Sequence, residues 1–157
     1  MSRWNALAFA AAIGAVTGLR SMMGPAAVSQ GASRKMLRLR EPDTEFLSTE
    51  MAANILAALA VTELVADKLP FTPDRTLPPS LMLRAASGAL CGAAVASSLR
   101  SSAVQGAIVG SAAAVGAAFA GREFRRIGHK QKWPAAPVAL VEDAIAIGGA
   151  AAIISAI

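Results

Sequence analysis

Residues 101–121 read SSAVQGAIVGSAAAVGAAFAG, a stretch of 21 residues that carries no charge. A helix needs about 20 mostly apolar residues to cross a hydrocarbon core of about 30 Å. A helix on the surface of a water-soluble protein shows polar residues along one face, whereas small and apolar residues dominate every face of this one. The stretch therefore predicts a transmembrane helix and argues against a soluble, alanine-rich helical bundle.

The composition of the whole chain leads to the same class of protein. Of its 157 residues, 55% are apolar and 16% are charged, whereas soluble domains average about 45 to 50% and about 25%. A soluble domain of this length exposes about a third of its unfolded-chain surface, and so few charges cannot cover it. We predict an all-α protein, a polytopic transmembrane helical bundle in which residues 1–157 form a single integral membrane domain.

Apolar blocks, separated by charged or proline-bearing connections, predict about five membrane-spanning helices. The expected ranges are 4–27, 46–69, 81–99, 102–121 and 135–157. A secretory signal peptide is an alternative for the first block, but the later blocks are equally hydrophobic and a first transmembrane helix is more economical.

The connections between these helices differ in character. The first is basic and contains Arg34, Lys35, Arg38 and Arg40. The second is predicted to be a stiff external loop because it is rich in proline, with Pro70, Pro73, Pro78 and Pro79. The last is predicted to be a polar loop that contains Arg122, Arg125, Arg126, His129, Lys130 and Lys132.

The third and fourth predicted helices share a Gly-Ala-x-x-Gly pattern, at Gly88 and Gly92 and again at Gly106 and Gly110. Small residues one helical turn apart let two helix backbones approach closely in a membrane. The connection around Arg100 is short, so we expect a tight antiparallel hairpin of glycine-zipper type. An interface between copies of the chain is the alternative use of these glycines.

Five spans would place the two termini on opposite sides of the membrane. The side with the N-terminus then carries nine basic residues: Arg3, Lys68, Arg75, Arg84, Arg122, Arg125, Arg126, Lys130 and Lys132. The other side carries five, which are Arg34, Lys35, Arg38, Arg40 and Arg100. Because cytoplasmic loops carry the excess of Lys and Arg, the N-terminus is expected in the cytoplasm. The net charge of +5 suits anionic lipid head groups, and no nucleic-acid recognition motif is present.

Five ionisable residues lie within or beside the predicted spans: Arg20, Glu63, Asp67, Glu142 and Asp143. Each costs a few kcal/mol at the bilayer centre and must face protein or water. Glu63 and Asp67 share one helix face, and five spans would bring both acidic pairs to the same depth. Two interpretations stay open: a site that attracts a cation or protons, and a structural network of interfacial salt bridges that anchors Arg84, Lys68 and the basic loop before the last helix.

Arg20 lies between Gly18 and Pro25, which predicts a broken or kinked helix whose freed backbone groups line a polar cavity. A broken helix that carries a charge is a feature of transporters. Snorkelling of Arg20 to the interface, or pairing with Glu50, is an equally good alternative. No catalytic constellation, metal-ligand cluster or cofactor motif is evident, since His129 and Cys91 stand alone, and the sequence does not indicate an enzyme.

Three motifs taken together resemble a known family. They are Gly18-Leu-Arg20 with Pro25, Glu63-Leu-Val-Ala-Asp67-Lys68-Leu-Pro70, and Pro137-Val-Ala-Leu-Val-Glu142-Asp143. In this order they are similar to the bacterial membrane family known as domain of unknown function 4126, although Ser21 stands where a proline is expected. The resemblance implies a polytopic protein of the bacterial inner membrane and no defined activity. It marks as site residues Arg20, Glu63, Asp67, Lys68, Glu142 and Asp143.

The sequence thus favours a small transport or permeation protein whose polar site combines Arg20 with the acidic pairs. Five short helices enclose little volume, so a homo-oligomer, most simply a dimer, is expected to build the pathway. The alternative is a non-transporting scaffold that binds lipids or a partner protein through its glycine faces and basic loops. An enzyme acting on lipid is a weaker alternative because a nucleophile and a base are missing.

Overall fold

The computed structural model describes residues 2–66 and 77–157, and the regular structure in these residues is helical throughout, which confirms the all-α prediction. The α-helices are α1 (Arg3–Leu19), α2 (Met23–Ser33), α3 (Glu50–Ala66), α4 (Pro78–Ser98), α5 (Ala103–Lys130) and α6 (Ala135–Ala156). A 3-10 helix at Pro42–Ser48 precedes α3 and is bent by 77° from it.

Several of these helices have the length and composition of membrane spans. Within the described residues three qualify outright: Pro78–Ser98, Ala103–Lys130 and Ala136–Ala156. A fourth qualifies if the 3-10 helix and α3 are taken together as one bent span. The architecture is therefore that of a multi-pass membrane protein.

The helix bounds correct the sequence prediction at several places. The first predicted helix, 4–27, is two helices, and the second, 46–69, begins at Glu50 while its predicted end lies outside the described residues. Pro78 and Pro79 belong to the first turn of α4 rather than to a loop, because the missing amide hydrogen of proline is harmless there.

The fourth predicted helix, 102–121, continues to Lys130, so most of the predicted polar loop is helical. Arginine, lysine and glutamate are good helix formers. The charges that begin at Arg122 therefore mark where α5 leaves the hydrocarbon, not where the helix ends.

The break between α1 and α2 follows from Pro25. A continuous helix would need an amide hydrogen on Pro25 for the carbonyl of Ser21, and the proline ring would clash with that carbonyl. The chain instead leaves the helix at Arg20, whose backbone is extended, and starts again at Met23. Pro25 then lies in the first turn of α2, where an amide hydrogen has no helical partner anyway.

The second helix folds back along the first. A Cβ atom on Gly24 would overlap the Thr17 side chain and would lie 3.5 Å from the carbonyl oxygen of Ile13. In a continuous helix residues 13 and 24 are about 16 Å apart along the axis, so this contact requires a reversal. The two helices form a helical hairpin, joined by residues Arg20–Met22, which we name the α1–α2 turn.

The third helix returns antiparallel to α2. The Gln30 side chain donates to the carbonyl oxygen of Ala53, near the start of α3, at 3.3 Å. At the other end, the backbone of Met22 donates to Glu63, near the end of α3, at 2.8 Å. The end of α3 is thereby fixed beside the α1–α2 turn.

Helices α4 and α5 are in backbone contact through four glycines. A Cβ atom on Gly92 would overlap the carbonyl oxygen of Gly106, and one on Gly110 would overlap that of Gly88. These pairings run in opposite directions along the two helices, so α4 and α5 are antiparallel. The four glycines that the sequence singled out for helix packing thus contact one another within one chain.

Helix α1 completes this glycine-rich contact. Gly14 lies against the backbone of Gly110, and Gly18 lies against the backbone of Ala114. From the first pairing to the second, the residue numbers increase by four along both helices, so α1 and α5 are parallel. Thr17 also belongs to this contact, since its hydroxyl would lie 3.0 Å from a Cβ atom on Gly88.

The last helix runs antiparallel to α1 and parallel to α2. Asp143 pairs with Arg20 at the α1–α2 turn, whereas Ile154 lies against Gly31 near the far end of α2. The start of α1 and the end of α6 therefore lie at the same end of the bundle. The expectation of five spans, with these two points on opposite sides, is not confirmed, because it treats the α1–α2 hairpin as a single span.

This reversal changes the charge balance between the two ends of the bundle. The end with the start of α1 carries Arg3, Arg34, Lys35, Arg38, Arg40 and Arg100. Among the described residues the opposite end carries Arg84, Arg122, Arg125, Arg126, Lys130 and Lys132. Relative to the predicted sorting of nine against five, Arg3 changes sides, so the basic residues no longer favour a cytoplasmic N-terminus.

Topology reporters test the hairpin. A reporter that is active only in the cytoplasm and one that is active only outside it are fused, in separate chains, before Ser2 and after Ile157. We expect both positions to report the same side in each preparation, because α1 and α6 share one end of the bundle. Opposite sides for the two positions would restore the five-span topology.

The glycine contacts predict a large difference between two glycines of similar sequence context. Gly92→Ala should destabilise the protein by about 1 to 3 kcal/mol, the usual range for overpacking, because its Cβ meets the α5 backbone. Gly116→Ala, whose Cβ would meet nothing within 4 Å, is the matched control and should not destabilise. Unfolding in mixed micelles, followed by circular dichroism, measures both, and equal midpoints would contradict the contact.

Candidate functional site: a buried charge cluster at the α1–α2 turn

Glu63 of α3 binds the backbone amides that precede α2 and have no acceptor within a helix. One of its oxygens, Oε1, accepts from the Ser21 amide at 2.8 Å and from the Ser21 hydroxyl at 2.6 Å, and Oε2 accepts from the Met22 amide at 2.8 Å. The first amides of a helix have no helical acceptor and carry a partial positive charge. The carboxylate therefore stabilises the turn through charge-assisted hydrogen bonds.

Arg84 of α4 binds the end of α1 in the complementary way. Its Nη1 donates to the carbonyl oxygen of Gly18 at 2.9 Å, and its Nη2 lies 3.7 Å from Glu63 Oε1. The side chain is almost completely buried. A cation at the carbonyl end of a helix is stabilising, so each half of the broken helix ends at a charge of the favourable sign.

Arg20, in the turn itself, forms an ion pair with Asp143 of α6. Nη2 donates to Oδ1, and the two residues are 1% and 7% exposed. Isolated charges at this burial cost several kcal/mol each, and pairing in good geometry offsets that cost. Because Arg20 is almost completely buried, its side chain does not snorkel to the membrane interface. The alternative partner, Glu50, lies exposed at the start of α3.

Glu142 binds elsewhere, although it is adjacent to Asp143 in sequence. Its carboxylate accepts from Arg125 of α5, with Nε at 3.0 and 3.2 Å from the two oxygens and Nη2 at 2.7 Å from Oε2. Successive side chains on a helix point about 100° apart, because a turn takes 3.6 residues. Glu142 and Asp143 therefore act as two separate partners, and they do not form a joint acidic pair.

These charged side chains, which we name the charge cluster, are Arg20, Glu63, Arg84, Arg125, Glu142 and Asp143. The helix break lies beside the uncharged stretch of α5. The uncharged run of α5 continues seven residues past Ala114, which contacts Gly18 at the end of α1, to Gly121. Seven residues of helix rise about 10 Å. The level of Gly18 is therefore about 10 Å from the end of this uncharged run, and the turn, which follows Gly18, lies closer to the charges of α5.

The structure brings together part of the predicted site. Arg20, Glu63 and Asp143 meet at the turn, and the predicted break in the first helix is confirmed. Glu142 lies next to them with its own partner. Asp67 and Lys68 lie outside the described residues.

Two arginines of the site, Arg84 and Arg125, enter the sequence analysis only through the salt-bridge alternative, as partners of the acidic pairs, and not among the predicted site residues. Arg84 is the one charge in the apolar part of α4, and that isolation was a usable signal. The sequence predicts a loop at Arg125, but α5 remains helical up to Lys130 and this brings Arg125 to Glu142. Neither partner choice follows from local sequence.

A family model for a domain of unknown function matches residues 7–156, and this range includes every residue of the cluster. The chain belongs to this family, DUF4126. The resemblance carried by the three sequence motifs is thereby confirmed. Neither the curated proteins nor the solved structures contain a match. Because the family description assigns no activity, the function of this member has to be argued from its charge cluster.

Within the described residues two guanidinium groups, of Arg20 and Arg84, face the carboxylates of Glu63 and Asp143 at the turn. In the same described segments no group of three His, Cys, Asp or Glu side chains converges in the way that a metal site requires.

The burial of Arg20 predicts a large loss of stability on its removal. Arg20→Met should cost about 3 to 5 kcal/mol, because Asp143 stays buried after losing this partner. Arg126→Met is the matched control: its ion pair with Glu123 is exposed to solvent, so its removal should change the stability little. Detergent-induced unfolding measures both variants, and a loss for Arg20→Met no larger than that for Arg126→Met would contradict the burial.

Proposed function

We propose that the protein carries a small solute or an ion across the bacterial inner membrane, and that the α1–α2 turn is its polar site. The observation that supports this most is the ion pair of Arg20 with Asp143, buried beside a helix break within an apolar bundle. Charged side chains inside a membrane are costly and commonly mark ion pathways and proton relays.

The geometry of the break favours transport over a purely structural use. In many secondary transporters, discontinuous helices present their backbone ends to substrates and coupling ions near the middle of the bilayer. Here the carboxylate of Glu63 binds the amides of Ser21 and Met22 on one side of the break. The guanidinium of Arg84 binds the carbonyl of Gly18 on the other side. A transported ion would replace one of these side chains, at little net change in charge.

The proposal includes a membrane arrangement. Helices α3, α4, α5 and α6 would cross the bilayer, with α4 and α5 as a tight glycine hairpin, and α1 with α2 would enter and return as a re-entrant hairpin. Four crossings leave the start of α1 and the end of α6 on one side, for which we keep the cytoplasm as the proposal. A homodimer would supply the enclosure that one small bundle lacks, through surfaces other than the internally packed glycines.

Reconstitution into liposomes tests transport. Vesicles with the purified protein are screened for flux of protons, inorganic ions and small organic anions under a pH gradient. We expect flux in the parent protein, and a fall of tenfold or more in Glu63→Gln and Asp143→Asn, since each removes a charge from the turn. Glu123→Gln, which removes an exposed carboxylate, is the matched control and should behave like the parent.

The scaffold alternative is favoured by one observation. Each cluster carboxylate in the described residues already has a guanidinium or amide partner in the same chain. A satisfied network of this kind also suits a structural role. Absence of any flux in the parent, together with a partner protein that co-purifies at fixed stoichiometry, would replace the transport proposal by the scaffold.

A further inference from the structure

A lateral groove lies between α2, α3 and α6, with a volume of about 480 Å³. Buried alanines, Ala60 and Ala150, form its floor, and Val61 and Ile147 line it with 60% and 47% of their surface exposed. In the membrane arrangement proposed above, the groove opens sideways to lipid. Its volume is in the range of about 300 to 1,000 Å³ that is usual for small-molecule sites.

The shape of the groove restricts its occupant. It follows α2 from Met23 to Arg34, which is about 16 Å of helix rise. Its volume of about 480 Å³ is therefore spread along an elongated, open groove. This shape is complementary to a single extended hydrocarbon chain, which is much thinner than an α-helix with its side chains, about 10 to 12 Å wide.

The charge of the groove restricts the occupant further. Its lining is apolar except for Gln30 and Arg34, and the Gln30 amide already donates to the carbonyl of Ala53. Arg34 is exposed at the end of α2, and it makes no ion pair within residues 2–66 and 77–157. An apolar slot with a guanidinium at its mouth is complementary to an acyl chain that ends in an anionic head group.

We propose that this groove binds one acyl chain of an anionic phospholipid, with the lipid phosphate on Arg34 and the chain running along α2 toward Met23. The chain end then lies near the α1–α2 turn, because Met23 directly follows it. The bound lipid fills the space between α2, α3 and α6 and holds these helices around the charge cluster. This site does not depend on the transport proposal.

Lipid titration of the purified protein in detergent, read by native mass spectrometry, tests the site. Dioleoyl-phosphatidylglycerol and dioleoyl-phosphatidylcholine have the same chains and differ in head-group charge. We expect one phosphatidylglycerol per chain to bind preferentially, and Arg34→Gln to weaken it about fivefold, the factor one basic residue contributes near an anionic surface. Arg38→Gln, a neighbouring exposed arginine outside the groove lining, should change the affinity less than twofold.

A second pair of variants tests the slot itself. Ala57→Phe fills the groove and should abolish the preferential binding, whereas Ala58→Phe, on the exposed face of α3, should leave it intact. Circular dichroism and gel filtration establish that both variants fold. Equal binding of the two lipids by the parent protein would overturn the proposal. Unchanged binding in folded Ala57→Phe would also overturn it, as would a dimer that Ala57→Phe converts to monomers with no effect on lipid.

Discussion

A helix that is interrupted inside hydrocarbon leaves backbone groups that water cannot reach. Each unsatisfied amide or carbonyl in such a place costs several kcal/mol, so the interruption persists only if other helices supply partners. In this protein α3 supplies Glu63 to the amides after the break, and α4 supplies Arg84 to the carbonyl before it. The register of α3 and α4 is thereby tied to the α1–α2 turn, and the pairing of Arg20 with Asp143 ties α6 to it as well.

The bundle divides into two parts that are held together by different forces. Helices α1, α4 and α5 approach until their backbones touch, at glycines where any Cβ atom would collide. Contacts of this kind rest on close van der Waals packing, because hydrophobicity cannot drive helices together in lipid. Helices α2, α3 and α6 instead surround an open groove. The charge cluster lies where the two parts meet, so a change in its pairing would be felt by both.

Local sequence was sufficient for the features that depend on local chemistry. The apolar runs gave the helices, the cost of buried charge singled out Arg20, Glu63 and Asp143, and Pro25 indicated a break. The direction in which the chain leaves a break is not a local property. It is decided here by the contact of Gly24 with Thr17, and by partners on α3, α4 and α6 that are distant in sequence. The sequence predicts that α5 ends at residue 121, whereas the helix continues to Lys130. Hydropathy indicates where the chain leaves the lipid, and it does not indicate where the helix ends.

The direction in which α2 leaves the turn determines the predicted direction of every later helix. If α1 and α2 are a single span, every later helix is assigned the opposite sense, and the positive residues sort into nine against five. Once α2 returns along α1, Arg3 joins the basic segment after α2, and the sorting of nine against five no longer holds. Each basic residue near the surface contributes only about 1 kcal/mol of attraction to an anionic leaflet, so the move of one residue weakens the bias by a small amount. Individual residues such as Arg34 then have influence on both orientation and lipid contact, and the two properties are linked through the same end of α2.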